Sequence, residues 1–172
     1  MRNRVLFVRL RLANKICLVL LMATACTGAP SRESAHGAPP APINKAQSCD
    51  GAIEMSPLPT WARAGFTPPD GPVAHVIGLG GEIVGVVFGY PFHAPPLAGR
   101  GNKILWVART SEASGAALKI HATLNGSRLA VDREVAGGPG PSIIDMPRAG
   151  CWTFKLSWSG HQDGLAIPYT GS

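Results

Sequence analysis

The sequence predicts an all-β domain over residues 49–172, an antiparallel β-sandwich of about seven strands. Three observations carry this. Glycine and proline supply 21 and 16 of the 172 residues, too many breakers for a helical bundle. Short β-branched and aromatic runs recur between Gly/Pro turns at the spacing of roughly 8–12 residues that sandwiches use. No window keeps apolar residues at i, i+3, i+4 and i+7 through three helical turns.

The elements follow in chain order. Pro57 to Ala64 supports one short helical turn at best. Val73–Ile77 and Glu82–Phe88 are β-branched runs parted by Gly78-Leu79-Gly80-Gly81, which signals a hairpin. Ile104–Ala108 is short and wholly apolar, as expected of a strand buried on both faces. Leu118, Ile120, Ala122 and Leu124 alternate with Lys119, His121 and Thr123, so this strand is half-buried. Asn125-Gly126 then turns the chain into Arg128–Arg133. Trp152, Phe154, Leu156 and Trp158 alternate with Cys151, Thr153, Lys155 and Ser157 in the clearest strand, and Leu165–Ile167 closes the set.

Ahead of this domain the composition changes twice. Residues 1–15 are basic and mixed, and Ile16 to Ala25 is an apolar run ending in Ala23-Thr24-Ala25, the small-x-small pattern that a signal peptidase cuts. A ten-residue helix rises about 15 Å, half the roughly 30 Å hydrocarbon core, so residues 1–25 read as a cleaved signal peptide and not as a span. Cys26 follows directly, and residues 1–26 resemble a bacterial lipoprotein signal, in which a lipobox ends at the cysteine that becomes the lipid-bearing first residue. The resemblance implies a diacylglyceryl group on Cys26 and a protein anchored to the cell membrane or outer membrane, facing the periplasm or exterior. Residues 26–48 are rich in Ala, Pro, Gly and Ser, lack apolar periodicity, and read as a tether.

Cysteine parity fits the same reading. Of four cysteines, Cys17 leaves with the signal and Cys26 takes lipid, so Cys49 and Cys151 remain as a pair. Export into an oxidising compartment predicts a disulfide between them. Metal ligation by these thiols would want a C-x-x-C or a nearby Cys–His spacing, and neither occurs.

Charge removes nucleic acid as a partner. The formal charge is +6, but Arg2, Arg4, Arg9, Arg11 and Lys15 lie in the signal, where no acid occurs. The remainder carries 16 − 5 = 11 basic against 10 acidic residues, a net of +1, and supplies no excess field for a phosphate backbone.

Pro147-Arg148-Ala149-Gly150-Cys151-Trp152 resembles the corner that feeds a late strand of immunoglobulin-like domains, with Trp152 near the position a corner tyrosine would take. Asn102–Val107 and Gly150–Trp152 are similar to stretches of small secreted bacterial lipoproteins. These resemblances imply an immunoglobulin-like sandwich and bring no catalytic residues.

Catalytic motifs are scarce. Gly78-Leu79-Gly80-Gly81 lacks the third glycine of a dinucleotide fingerprint, and a strand follows where a helix must start. No G-x-S-x-G, phosphate loop or H-E-x-x-H occurs, and Asn125-Gly126-Ser127 reads as a turn before it reads as a glycosylation site. No cofactor is implied. The segment that asks for function is the long loop Gly89–Asn102, where Tyr90, Phe92, His93 and Arg100 form the candidate contact surface for an envelope protein or glycan. The leading expectation is a non-catalytic binding or accessory module. Two alternatives stand beside it. One is a copper- or zinc-binding protein using His75, His93, His121 and His161, with Met55 and Met146 as soft ligands. The other is a hydrolase on the sandwich scaffold, which needs an acid and a base paired in a cleft.

Overall fold

A computed structural model describes residues 48–110 and 115–172. The expected signal peptide, Cys26 and nearly all of the expected tether lie outside the described residues. Within them the chain is almost wholly β, with ten strands in two five-stranded sheets. The strands are β1 (Glu54–Pro57), β2 (Pro72–Ile77), β3 (Ile83–Phe88), β4 (Phe92–His93), β5 (Lys103–Ala108), β6 (Leu118–Leu124), β7 (Ala130–Val135), β8 (Pro141–Ile143), β9 (Gly150–Trp158) and β10 (His161–Thr170). The first sheet runs β1-β2-β3-β5-β8 and the second β4-β10-β9-β6-β7. All pairings are antiparallel except β4 with β10, so the second sheet is mixed and not purely antiparallel.

The seven expected strands correspond to β2, β3, β5, β6, β7, β9 and β10. The three unexpected ones, β1, β4 and β8, are two to four residues long and each forms a sheet edge. Pro57 and Pro141 sit in two of them, as edge positions allow. β10 is ten residues long where three were expected, because Gly164 and Pro168 interrupt its apolar pattern. β7 begins at Ala130, two residues later than expected.

The inward faces build one core. Val76, Ile83, Val87, Ile104 and Trp106 of the first sheet meet Leu118, Ile120, Trp152, Phe154, Leu156 and Leu165 of the second. Trp106 and Phe154 meet across the interface with tilted rings, 6.3 Å between centroids. The outward side of β3 is also dry. Val84 and Val86 pack against Leu58 and Ala62, with Trp61 and Phe66 partly buried around them. A single 3-10 turn at Thr60–Ala62 carries this cover, and Arg63 fastens it by donating from Nε to the Leu58 carbonyl at 2.6 Å. Burial on both faces explains why β3 and β5 read as continuous apolar runs.

Two further contacts tie the sheets. Asp163 on β10 is 1% exposed, and its carboxylate accepts backbone N–H bonds from Gly80, Glu82 and Gly164 at 2.7–2.9 Å. The glycine-rich β2–β3 hairpin thus wraps an internal carboxylate, not a phosphate. A Cβ on Gly78 would stand 2.2 Å from Asp163 Oδ2, which makes glycine obligatory there. The second contact is the disulfide. Cys49 and Cys151 are bonded, with a Cα separation of 5.6 Å. Cys151 faces outward between Gly150 and inward-facing Trp152, so the bridge pins the N-terminal arm to the outer face of β9.

Candidate functional site

The long loop is shorter and tighter than its sequence length suggests. Phe92 and His93 form β4 and pair with Tyr169 and Thr170. Asn102, 5% exposed, holds the loop's two ends together. Its Oδ1 accepts from His93 N at 3.0 Å, while its Nδ2 donates to the His93 carbonyl at 2.9 Å and to Asp145 Oδ1 at 2.8 Å. Thr170 Oγ1 adds a bond to the Phe92 carbonyl at 2.9 Å.

This clamp divides the four expected contact residues. Phe92 is 1% exposed and packs its ring 5.5 Å from that of Tyr169, so it belongs to the core and leaves the candidate surface. The reason is register: β4 is an edge strand, and position 92 falls on its inward side. Tyr90 is 41% exposed and touches Phe92 edge-on. His93 is half-buried, with Nδ1 3.3 Å from the Gly171 carbonyl. Arg100 is exposed and bonds the Gly89 carbonyl. Tyr90, His93 and Arg100 therefore remain at the surface.

Burial also governs Tyr169, whose hydroxyl donates to the Ile144 carbonyl at 2.7 Å. Desolvation raises its pKa well above the ordinary phenol value, Asp145 raises it further, and Arg133 partly opposes them.

The histidines do not converge. His75 is buried on β2, with Nδ1 2.8 Å from the Val73 carbonyl and Nε2 without a partner. His121 pairs with Asp132 at 2.7 Å on the open face of β6 and β7. His161 stacks on Trp158 at 5.7 Å, and His93 lies on β4. Met146 is in the core while Met55 is exposed. Among the described residues no group of three or more His, Cys, Asp or Glu is placed to hold a metal.

The sequence reading missed a groove of about 660 Å³ on the outer face of the second sheet. Cross-strand register builds it in rows. Glu134, Lys119, Ser157 and Gln162 make one row, and Asp132, His121, Lys155 and Gly164 make the next. The first row offers a carboxylate, an ammonium, a hydroxyl and an amide, while Gly164 leaves the second row open at one end. The exposed His121–Asp132 pair contributes at most about 1 kcal/mol to stability. The signal for this groove was present in the polar members of each alternating strand, but their row-by-row alignment depends on strand order.

No protein-family model, curated protein or solved structure matches the chain.

Proposed function

We propose that this chain is an exported, lipid-anchored cell-envelope protein whose immunoglobulin-like β-sandwich acts by binding, without catalysis. The observation that carries the reading is the Cys49–Cys151 disulfide. It pairs the two cysteines left once a lipobox-like signal has claimed Cys17 and Cys26, and disulfides persist where proteins are exported. Trp152 supports the immunoglobulin-like assignment: its Nε1 donates to the Arg148 carbonyl at 2.9 Å, four residues upstream. A corner tyrosine makes the same kind of backward bond in such domains. The polar rows of the outer groove suit a hydrated ligand such as a glycan or an envelope protein, because every row pairs donors with acceptors.

Intact-mass measurement of protein extracted from envelopes tests this. The expected species begins at Cys26 with a diacylglyceryl group and contains oxidised Cys49 and Cys151. A cytosolic species that keeps Met1 and free thiols overturns it.

The hydrolase reading draws on one observation, the His121–Asp132 pair inside the groove. An orienting carboxylate beside an imidazole supplies two of the three members of a nucleophile–base–orienter set. Among the described residues no serine or threonine hydroxyl bonds His121, so the pair lacks its third member. Turnover of ester or amide substrates that disappears in His121→Ala would restore this reading.

A further inference from the structure

The strand registers place several remote segments at one end of the sandwich. Phe92 pairs with Tyr169, Tyr169 with Gly150, and Pro168 with Cys151. Asn125 N donates to the Cys151 carbonyl at 2.9 Å, which brings the β6–β7 hairpin to this end. In the first sheet Phe88, Lys103 and Ile143 form the terminal row of β3, β5 and β8. The disulfide-held arm at Cys49 enters the domain here as well.

This end carries large apolar side chains that the described residues leave well exposed. Ile143 is 54% exposed, Phe88 and Tyr90 are each 41%, and Leu97 is 37%. Cations share this end. Lys103 Nζ stands 5.3 Å over the Phe88 ring, Arg100 is held at the Gly89 carbonyl, and Arg128 and Arg148 are exposed on the adjoining loops. The acids here are mostly engaged: Asp145 is half-buried and bonded to Asn102, and Asp70 pairs with Arg63. Asp50 stands exposed beside Cys49.

We propose that this end is a membrane-docking face that seats the domain on an anionic bilayer. It deepens the lipid-anchored reading and rests on it for its biological setting. Two features select a bilayer over a protein groove. Aromatic and aliphatic side chains sharing one end with Lys and Arg match the interface, where apolar tips enter the headgroup boundary and cations meet anionic lipid. The tether also joins the domain at this same end. A linker of about 20 residues gives effective concentrations on the order of millimolar, so a weak patch suffices once the lipid holds the chain.

Both sheets, their shared core and the disulfide lie within residues 49–172, so residues 48–172 carry their own fold. The test is co-sedimentation of this unlipidated domain with phosphatidylcholine vesicles, with and without 30% phosphatidylglycerol. Binding to the anionic vesicles alone is expected, with loss at high salt. Each cation near the surface is worth about fivefold in partition. Arg128→Glu with Arg148→Glu should therefore lower partition at least twentyfold while leaving the melting temperature unchanged. Tyr90→Ser with Leu97→Ser should lower it severalfold without changing the salt dependence. Equal partition of wild type and both variants, or no binding to either vesicle, overturns the proposal. So does saturable capture by an envelope protein that competes with vesicles. The assay contains no acylated protein, so its failure is distinct from failure to find lipid on Cys26.

Discussion

Single side chains hold the two sheets in place through bonds that span them. Asp163 accepts three backbone N–H bonds that the β2–β3 hairpin and β10 would otherwise leave unpaired, so one carboxylate replaces a stretch of ladder. Tyr169 does the reverse: it donates to the Ile144 carbonyl from a buried ring. Its raised pKa has a consequence of definite sign. The unfolded phenol titrates near 10.0 and the folded one higher, so the native state binds more protons above pH 10. Stability is fully present below pH 10 and falls above it by about 1.4 kcal/mol per pH unit. Tyr169→Phe removes that slope. At pH 8 the variant should be about 1–2 kcal/mol less stable, because the Ile144 carbonyl loses its donor. At pH 11 the gap should shrink by about the 1.4 kcal/mol of one pH unit. Urea midpoints of both proteins at the two pH values decide it, and a gap independent of pH would show that the phenol titrates alike in both states.

Among the elements, legibility followed burial. β6 and β9 announce themselves because one face is dry and the other wet, so alternation survives in the sequence. β3 and β5 are legible as continuous runs because the turn at Thr60–Ala62 covers their outer side. β1, β4 and β8 leave no pattern, since two to four edge residues cannot display a period. The groove was illegible for a related reason: Lys119, Ser157 and Gln162 become neighbours only when β6, β9 and β10 lie side by side. β4 matters most, because it converts a long loop into two anchored arms and separates two aromatics that look alike in sequence. Phe92→Ala should cost about 3–5 kcal/mol by opening a cavity beside Tyr169. Tyr90→Ala, at 41% exposure, should cost less than about 1 kcal/mol. Thermal or urea unfolding of the two variants measures the difference, and equal costs would mean that β4 does not set the inward register.

On the scale of the whole molecule the question is what the disulfide does for a domain whose core is already continuous. Cys49 and Cys151 are separated by 102 residues, so the bridge closes a loop covering most of the folded chain. The chain-entropy model assigns a loop of about 100 residues roughly 4.7 kcal/mol, an upper figure where the reduced chain retains structure. Domains of this size have about 5–15 kcal/mol in all, so a bridge worth even about 2 kcal/mol is a sizeable share of the total. Its effect is also local. β1 begins at Glu54, only a few residues after Cys49, and pairs with one neighbour, β2. Without the bridge this edge strand is held by its ladder alone, and edge ladders open first. Cys49→Ser with Cys151→Ser should therefore lower the unfolding free energy by about 2–5 kcal/mol. Amides of β1 should exchange faster than this global loss explains, while those of β9 and β6 follow the global loss alone. Urea denaturation and native-state hydrogen exchange on the same pair of proteins separate the two effects. An unchanged midpoint with unchanged β1 exchange would mean that the arm is fixed by strand pairing, and that the disulfide adds nothing to the stability of this fold.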